Sequence, residues 1–233
     1  MNFKIWIESQ MPITKLAFFD YDGTLAVTPK PPQNWAPSNY VAPDGKVRKD
    51  NHWWTHPDSL ENYQLNQFIL GEFKKARMEQ STKAVLLTGR QGMRTAHLIR
   101  GKLRDEGLFG KRQISARYEK AQERHDNWPN GPHPEEDHPH AHQEFFKGDM
   151  RTEDDYPKTS KGKPDGDTAS HKKYVVQKLM NDNVQLIDFW DDQVEFVDDF
   201  LNLFKQLLKN WPNLKKINYY HVTPTGITTI PIA

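Results

Sequence analysis

Short apolar runs alternate along this chain with longer stretches whose apolar residues recur every three or four positions. The short runs predict buried strands, and the longer spacing predicts helices with one face toward a core. Such alternation is typical of a parallel sheet with helices on both faces. The sequence therefore predicts an α/β fold built on a three-layer, Rossmann-like parallel sheet. The predicted strands are 16–19, 83–90, 184–190 and 216–222, with weaker candidates at 3–7 and 111–118, and the predicted helices cover about 57–79, 91–106, 167–180 and 197–208.

Two stretches interrupt this alternation within what we expect to be a single domain of residues 1–233. Residues 26–56 are rich in proline and follow the first strand directly, so we expect a flap that folds over the end of that strand. Within the flap, Trp53 and Trp54 are more typical of packing anchors than of a surface that stacks a substrate, which is the alternative. Residues 119–166 predict a polar, partly mobile insertion.

The insertion holds five of the ten histidines. Clustered histidines can bind a transition metal. No paired spacing on a rigid element supports such a site here, so an incidental or structural role is favoured.

Composition excludes several classes of protein. A formal net charge of +1 gives no general attraction to nucleic acid or membrane, so any basic surface must be local. The absence of cysteine excludes disulfides and thiolate chemistry. No apolar run reaches the length of a membrane span. We therefore expect a soluble, cytoplasmic protein with no membrane partner, while the oligomeric state stays open.

The candidate chemistry begins at the end of the first predicted strand, where Asp20 and Asp22 follow the apolar run. Side chains two residues apart in an extended chain share a face, so we expect the two carboxylates to converge at the carboxyl edge of the sheet. Gly23 allows a sharp bend and Thr24 supplies a hydroxyl. Converging carboxylates repel each other unless a cation lies between them or one of them holds a proton, and a divalent metal together with a phosphate ester is the favoured ligand.

Two further strands also end in polar groups. Thr88 ends the second strand, and Asp191 with Asp192 ends the third, so these groups should meet Asp20 at one crevice of the sheet. A cation is expected from the helix between them. Lys172 shares a face with the apolar positions of that helix and is our choice for neutralising a phosphate, with Lys173 as the alternative.

The four motifs together resemble those of the haloacid dehalogenase superfamily of phosphatases: Asp-Tyr-Asp-Gly-Thr, Leu-Thr-Gly-Arg, a helical lysine and an acidic pair after a strand. The resemblance implies a Mg²⁺-dependent phosphatase in which Asp20 attacks phosphorus and becomes an aspartyl-phosphate. Asp22 would protonate the leaving oxygen, activate water and offer its carbonyl to the metal. Thr88 and Lys172 would hold the phosphoryl oxygens, Gly89 and Arg90 would bind substrate, and Asp191 and Asp192 would complete the Mg²⁺ site.

Within that superfamily the chain is similar to the phosphatase-like domain of the "Swiss Army knife" RNA-repair proteins and to the phosphatase half of phage polynucleotide kinase-phosphatases. Both carry an arginine after the last acidic motif, where this chain has Gln193. That departure weakens the transfer of substrate contacts. Basic residues after Thr88 could bind nucleic acid, although the solvated face of an ordinary helix is the favoured interpretation: Arg90, Arg94, Arg100, Arg104, Lys111 and Arg112.

The leading hypothesis is therefore a phosphatase for terminal phosphates of RNA or DNA. The first alternative is a phosphatase for a free nucleotide or another small molecule, enclosed by the flap. The second is a non-catalytic metal-binding or scaffold protein that uses the histidine-rich insertion.

Overall fold

A computed structural model describes residues 12–41, 45–50, 53–108, 143–147, 168–193 and 197–232. The ten strands within these residues are β1 (Lys15–Phe19), β2 (Ala26–Val27), β3 (Ser38–Val41), β4 (Val47–Asp50), β5 (Gln64–Leu65), β6 (Thr82–Gln91), β7 (Gln143–Lys147), β8 (Leu186–Asp191), β9 (Lys216–Thr223) and β10 (Gly226–Ile232). The α-helices are α1 (Gln67–Met78), α2 (Gly92–Asp105), α3 (Thr168–Leu179) and α4 (Val197–Asn210).

Six strands form the main sheet, in the order β7-β6-β1-β8-β9-β10. The first five are parallel to one another, and β10 closes the edge as an antiparallel partner of β9. From β1 the chain moves to β6 and β7 on one side, then returns to β8 on the other. This reversal of strand order opens a crevice at the carboxyl ends of the strands beside β1.

Helices flank the sheet, which confirms the predicted α/β class. Alternate residues of β1 belong to different core clusters, because successive side chains of a strand point to opposite faces. Ala17 and Phe19 belong to a cluster with residues of α1 and α2. Leu16 and Phe18 belong to a second cluster, with residues of α3 and α4.

The helix predicted over 57–79 is wrong in its first part. Residues Pro57–Leu60 form a 3₁₀ helix, residues 64–65 form β5 beside β2, and only then does α1 begin. Asn62 takes a positive φ of 52°, which the α-helix does not allow. Asn66 then caps α1, since its side chain accepts a hydrogen bond from the Ile69 amide at 3.3 Å.

Two strands of the sheet were not predicted. Strand β7 lies inside the stretch 119–166 that was predicted as an insertion, and β10 follows the last predicted strand. The rest of that stretch, including its histidines, and the weak strand candidates at 3–7 and 111–118 lie outside the described residues.

The flap contains its own small aromatic cluster. Its strands β3 and β4 pair antiparallel, and His56 is buried between Trp35 and Tyr40, each in edge-to-face contact with it. Trp53 is also buried, and its indole N–H donates to the Pro29 carbonyl at 2.9 Å. These contacts hold the described part of the flap together.

None of the helices in the described residues combines the length and the apolar character that a membrane crossing requires.

Candidate active site

Asp20 lies in the crevice where the strand order reverses. It directly follows β1, and its amide donates to the Trp190 carbonyl of β8 at 2.9 Å, so the β1–β8 ladder continues to this residue. Since Phe19 pairs with Trp190 in that ladder, Asp20 and Asp191 end neighbouring strands side by side. Both carboxylates are buried.

Lys172 joins these two carboxylates from α3. Its ammonium lies 3.0 Å from Oδ1 of Asp20 and 2.6 Å from Oδ2 of Asp191. Burial alone would lower the pKa of Lys172, but the charges of Asp20 and Asp191 outweigh burial and raise that pKa above its ordinary value. The neighbouring Lys173 is only half-buried. Lys172 is thus the α3 lysine whose charge lies in the crevice.

Asp20, Asp191 and Asp192 each offer a carboxylate oxygen, and these oxygens lie within 4.8 Å of one another. Burial raises the pKa of Asp20 well above its ordinary value, opposed by the charge of Lys172 and reinforced by Asp191. Burial, reinforced by Asp191, raises the pKa of Asp192 to about 6. A further positive charge beside these buried carboxylates would reduce their mutual repulsion.

The donor set fits a hard divalent cation. Among the described residues, Oδ1 of Asp192 is buried without a hydrogen-bond partner, and buried charged oxygens rarely stay unpaired. Carboxylate oxygens are the ligands that Mg²⁺ prefers. The three acids Asp20, Asp191 and Asp192 could therefore hold a metal ion.

Gly23 brings the turn after β1 against the carboxylate cluster. Its φ is +76°, and a Cβ placed on it would lie 1.9 Å from Oδ2 of Asp192. The turn is fixed by three backbone hydrogen bonds, from the Gly23 amide to the Ala26 carbonyl, from the Leu25 amide to the Asp20 carbonyl and from the Ala26 amide to the Tyr21 carbonyl. Glycine is required here both for the backbone conformation and for space.

Asp22 does not join the carboxylate cluster, because β1 ends at Phe19 and the following turn breaks the alternation that was expected to align it with Asp20. Its carboxylate instead accepts from the Arg90 guanidinium, at 2.8 and 2.9 Å from Nε and 2.6 Å from Nη2. It stays close enough for its charge to contribute to the raised pKa values of Asp20 and Asp192.

Arg90, which sequence reasoning assigned to substrate, donates to protein acceptors from all three of its guanidinium nitrogens. Besides binding Asp22, its Nη1 donates to the Trp54 carbonyl at 2.8 Å and to the Ser59 hydroxyl at 2.6 Å. Arg90 lies where the pairing of β6 with β7 is irregular, between Thr88 and Gln91. Arg90 therefore connects the flap to Asp22.

Thr88 and Gly89 lie where β6 meets the N-terminus of α3. Thr88 is fully buried, and its hydroxyl accepts from the Arg90 amide at 3.2 Å. A Cβ on Gly89 would lie 2.6 Å from Cγ2 of Thr168, the first residue of α3. Because Gly89 has no side chain, the positively polarised N-terminus of α3 can lie close to the crevice.

Sequence reasoning missed that the Ser59 hydroxyl and the Trp54 carbonyl accept hydrogen bonds from Arg90. A backbone oxygen such as that of Trp54 carries no sequence signal. It also missed that the amide of Gln193 donates to Oδ1 of Asp191 at 2.9 Å.

Comparisons of this chain with protein-family models, with curated proteins and with solved structures find no match. Function is therefore argued from the geometry of the crevice.

Proposed function

We propose that this protein is a Mg²⁺-dependent phosphatase that works through an aspartyl-phosphate on Asp20, on a three-layer Rossmann-like α/β core. One observation carries the proposal: Asp20 is buried at the strand-order reversal, bound by Lys172 and within 4.8 Å of the carboxylate oxygens of Asp191 and Asp192. A nucleophile, a cation and metal ligands are the parts that phosphoryl transfer to a carboxylate needs.

Asp20 must be ionised to attack phosphorus. Burial opposes its ionisation and raises its pKa, and the ammonium of Lys172 at 3.0 Å counters that effect only in part. In the first step an Asp20 oxygen forms a bond to phosphorus while the ester P–O bond breaks, and the leaving oxygen takes a proton from Asp22, which enters this step in its protonated form. In the second step Asp22 takes a proton from water, whose oxygen attacks phosphorus, so that phosphate leaves and the Asp20 carboxylate is restored.

Lys172 and the N-terminus of α3 would face the negative charge of the phosphoryl group. Lys172 already bridges Asp20 and Asp191, so little rearrangement is needed for it to contact an oxygen of a phosphate attacked by Asp20. The close approach of Gly89 to Thr168 brings the positive end of the helix to the same place. Preorganised positive charge of this kind is usually a large part of catalysis.

Even with Asp22 protonated, three acidic side chains face two basic ones and leave a local excess of negative charge: Asp20, Asp191 and Asp192 against Lys172 and Arg90. A dianionic phosphate would be repelled by that excess. Asp20, Asp191, Asp192 and the Asp22 carbonyl would hold the Mg²⁺. When bound, Mg²⁺ supplies the positive charge that neutralises the transferring phosphoryl oxygens.

The leading substrate is a terminal phosphate on RNA or DNA, with a free nucleotide or another small phosphate ester as the alternative. The resemblance of the four motifs to nucleic-acid end-repair phosphatases supports the polymer. Binding of a polymer would weaken steeply with salt, whereas a small ester would show a shallow salt dependence.

The test measures phosphate release from a 3′-phosphorylated oligonucleotide and from an aryl phosphate, with Mg²⁺ and with chelator. We expect release from both by the wild type, none in chelator, and none from Asp20→Asn. Lys172→Met should lose most activity, while Lys173→Met, the adjacent half-buried lysine, serves as the matched control and should keep it.

The ratio of the two rates ranks the polymer against the small molecule. Release that persists in Asp20→Asn would contradict the aspartyl-phosphate. Absence of release by folded, Mg²⁺-supplied wild type from both substrates and from a wider panel of phosphate esters would refute the phosphatase proposal itself.

A further inference from the structure

The two adjacent tryptophans of the flap have different surroundings. Trp53 is 8% exposed and packs edge-to-face against Trp35. Trp54 is 45% exposed, although tryptophan is one of the largest apolar side chains. Burial in the flap explains Trp53 and leaves the exposure of Trp54 unexplained.

Trp54 is held in place by the same side chain that holds Asp22. The Arg90 guanidinium donates from Nη1 to the Trp54 carbonyl at 2.8 Å, and its Cζ lies 5.8 Å from the centroid of the Trp54 ring system. Its Nε and Nη2 bind the Asp22 carboxylate at 2.6–2.9 Å. Arg90 is itself buried, so water does not compete for these contacts. A single guanidinium therefore fixes an exposed indole beside the group proposed to protonate the leaving oxygen.

We propose that Trp54 is the platform on which the nucleobase of the phosphorylated nucleotide stacks. The inference rests on the proposed function and adds to it the class of leaving group: a nucleoside whose sugar oxygen is protonated by Asp22 as its base lies on the indole. A π-face offers stacking to any base without reading its hydrogen-bonding edge. An indole fixed in advance loses little conformational freedom when the base arrives.

The stacked base has two possible sources, the terminal nucleotide of a strand and a free nucleotide. The chemistry recognised is the same, a base carried on a phosphorylated sugar. A glycerol phosphate ester offers the phosphate without the base, so it is the reference ligand for the contribution of the indole.

The test uses Asp20→Asn, which the mechanism leaves without turnover, and measures equilibrium binding by calorimetry in Mg²⁺. The ligands are a 3′-phosphorylated oligonucleotide, a nucleoside 3′-monophosphate and glycerol phosphate. Adding Trp54→Ala removes the ring but keeps the backbone carbonyl that accepts from Arg90. We expect the Kd for the base-bearing ligands to rise about tenfold relative to that for glycerol phosphate. Trp54→Phe should recover most of the loss.

Met78→Ala is the matched control, because Met78 is 76% exposed at the C-terminal end of α1, which leads to the amino ends of the strands. It should change none of the three Kd values. If Trp54→Ala changed the Kd values of all three ligands equally, or changed none of them, the proposal would be overturned. Trp54 would then have a role only in the packing of the flap. A loss confined to the oligonucleotide would support stacking and assign the base to the polymer.

The binding assay needs no turnover, so its outcome is independent of the phosphatase test. If the wild type released no phosphate while Trp54→Ala still weakened nucleotide binding selectively, the proposed function would fail and the stacking site would stand. If phosphate release were normal and the selectivity unchanged, the stacking site would fail alone.

Discussion

Gly23→Ala is the substitution that separates the stability of the turn after β1 from its role in the proposed metal site. Gly23 has a φ of +76°, and its new Cβ would lie 1.9 Å from Oδ2 and 2.3 Å from Cγ of Asp192. The matched control is Gly107→Ala, at the end of α2, where φ is +77° and nothing lies within 4 Å of the added Cβ. Both substitutions impose the same backbone strain, and only the first displaces a carboxylate.

The expected magnitudes follow from that difference. The left-handed backbone should cost each variant about 1–2 kcal/mol of unfolding free energy. Asp192 has a short side chain that can rotate away from the new methyl group, and leaving the crowded acids relieves repulsion. The added stability loss in Gly23→Ala should therefore be small without metal. Its binding of Mg²⁺ should weaken at least about tenfold, because one of three carboxylate ligands has moved.

The assay is urea unfolding of both variants, in chelator and at a Mg²⁺ concentration of about 100 times the wild-type Kd. At that concentration binding should stabilise the wild type and Gly107→Ala by about 2.7 kcal/mol, and a tenfold weaker site should stabilise Gly23→Ala by only about 1.4 kcal/mol. Equal stabilisation of the two variants by Mg²⁺ would refute the reasoning. It would mean that Mg²⁺ binding does not depend on the position of Asp192 that the missing side chain at Gly23 allows.

Two further predictions concern charged groups. Arg90→Met should cost about 3–5 kcal/mol of unfolding free energy, because it leaves Asp22 and Ser59 without their buried partner. Arg104→Met, which removes an exposed pair with Asp105 at 3.8 Å, should cost less than about 1 kcal/mol, and equal losses in urea unfolding would contradict this role of Arg90. For Asp192, whose pKa is raised from 3.8 to about 6, the stability contributed by the protonated form is present below pH 3.8 and lost as pH rises through about 6. Between pH 4 and pH 7.5 in chelator, the free energy of unfolding of the wild type should therefore fall by about 2 kcal/mol more than that of Asp192→Asn. If the unfolding free energies of the two proteins changed with pH in parallel, the raised pKa of Asp192 would be contradicted.

The sequence alone determined the elements whose signal is local. The apolar runs of β1, β6, β8 and β9 predicted these strands to within two residues at each end, because a buried strand needs a continuous apolar segment. The same runs placed Asp20 and Asp191 directly after β1 and at the end of β8. The helical spacing of the buried face distinguished Lys172 from Lys173, since positions three and four apart share a side of the helix.

Elements with a weak local signal were decided by their neighbours. Strand β7 has only Phe145 and Phe146 as an apolar pair within a polar stretch, and its pairing with β6 makes it part of the sheet. The segment before α1 has apolar residues at helical spacing, yet β5 forms there because β2 offers it a partner. Pairing between segments distant in sequence is not encoded in either segment by itself.

The tertiary structure also decided which acceptors the charged groups bind. Alternation predicted that Asp22 would share a face with Asp20, but the strand ends before Asp22 and the guanidinium of Arg90 binds it from another strand. The exposure of Trp54, in contrast to that of Trp53, depends on how the flap packs against that arginine. Sequence spacing determines the position of a residue along its strand or helix. The partner of its side chain depends on residues that are far apart in sequence. Asp22 and Arg90, for example, come together only when the sheet has formed.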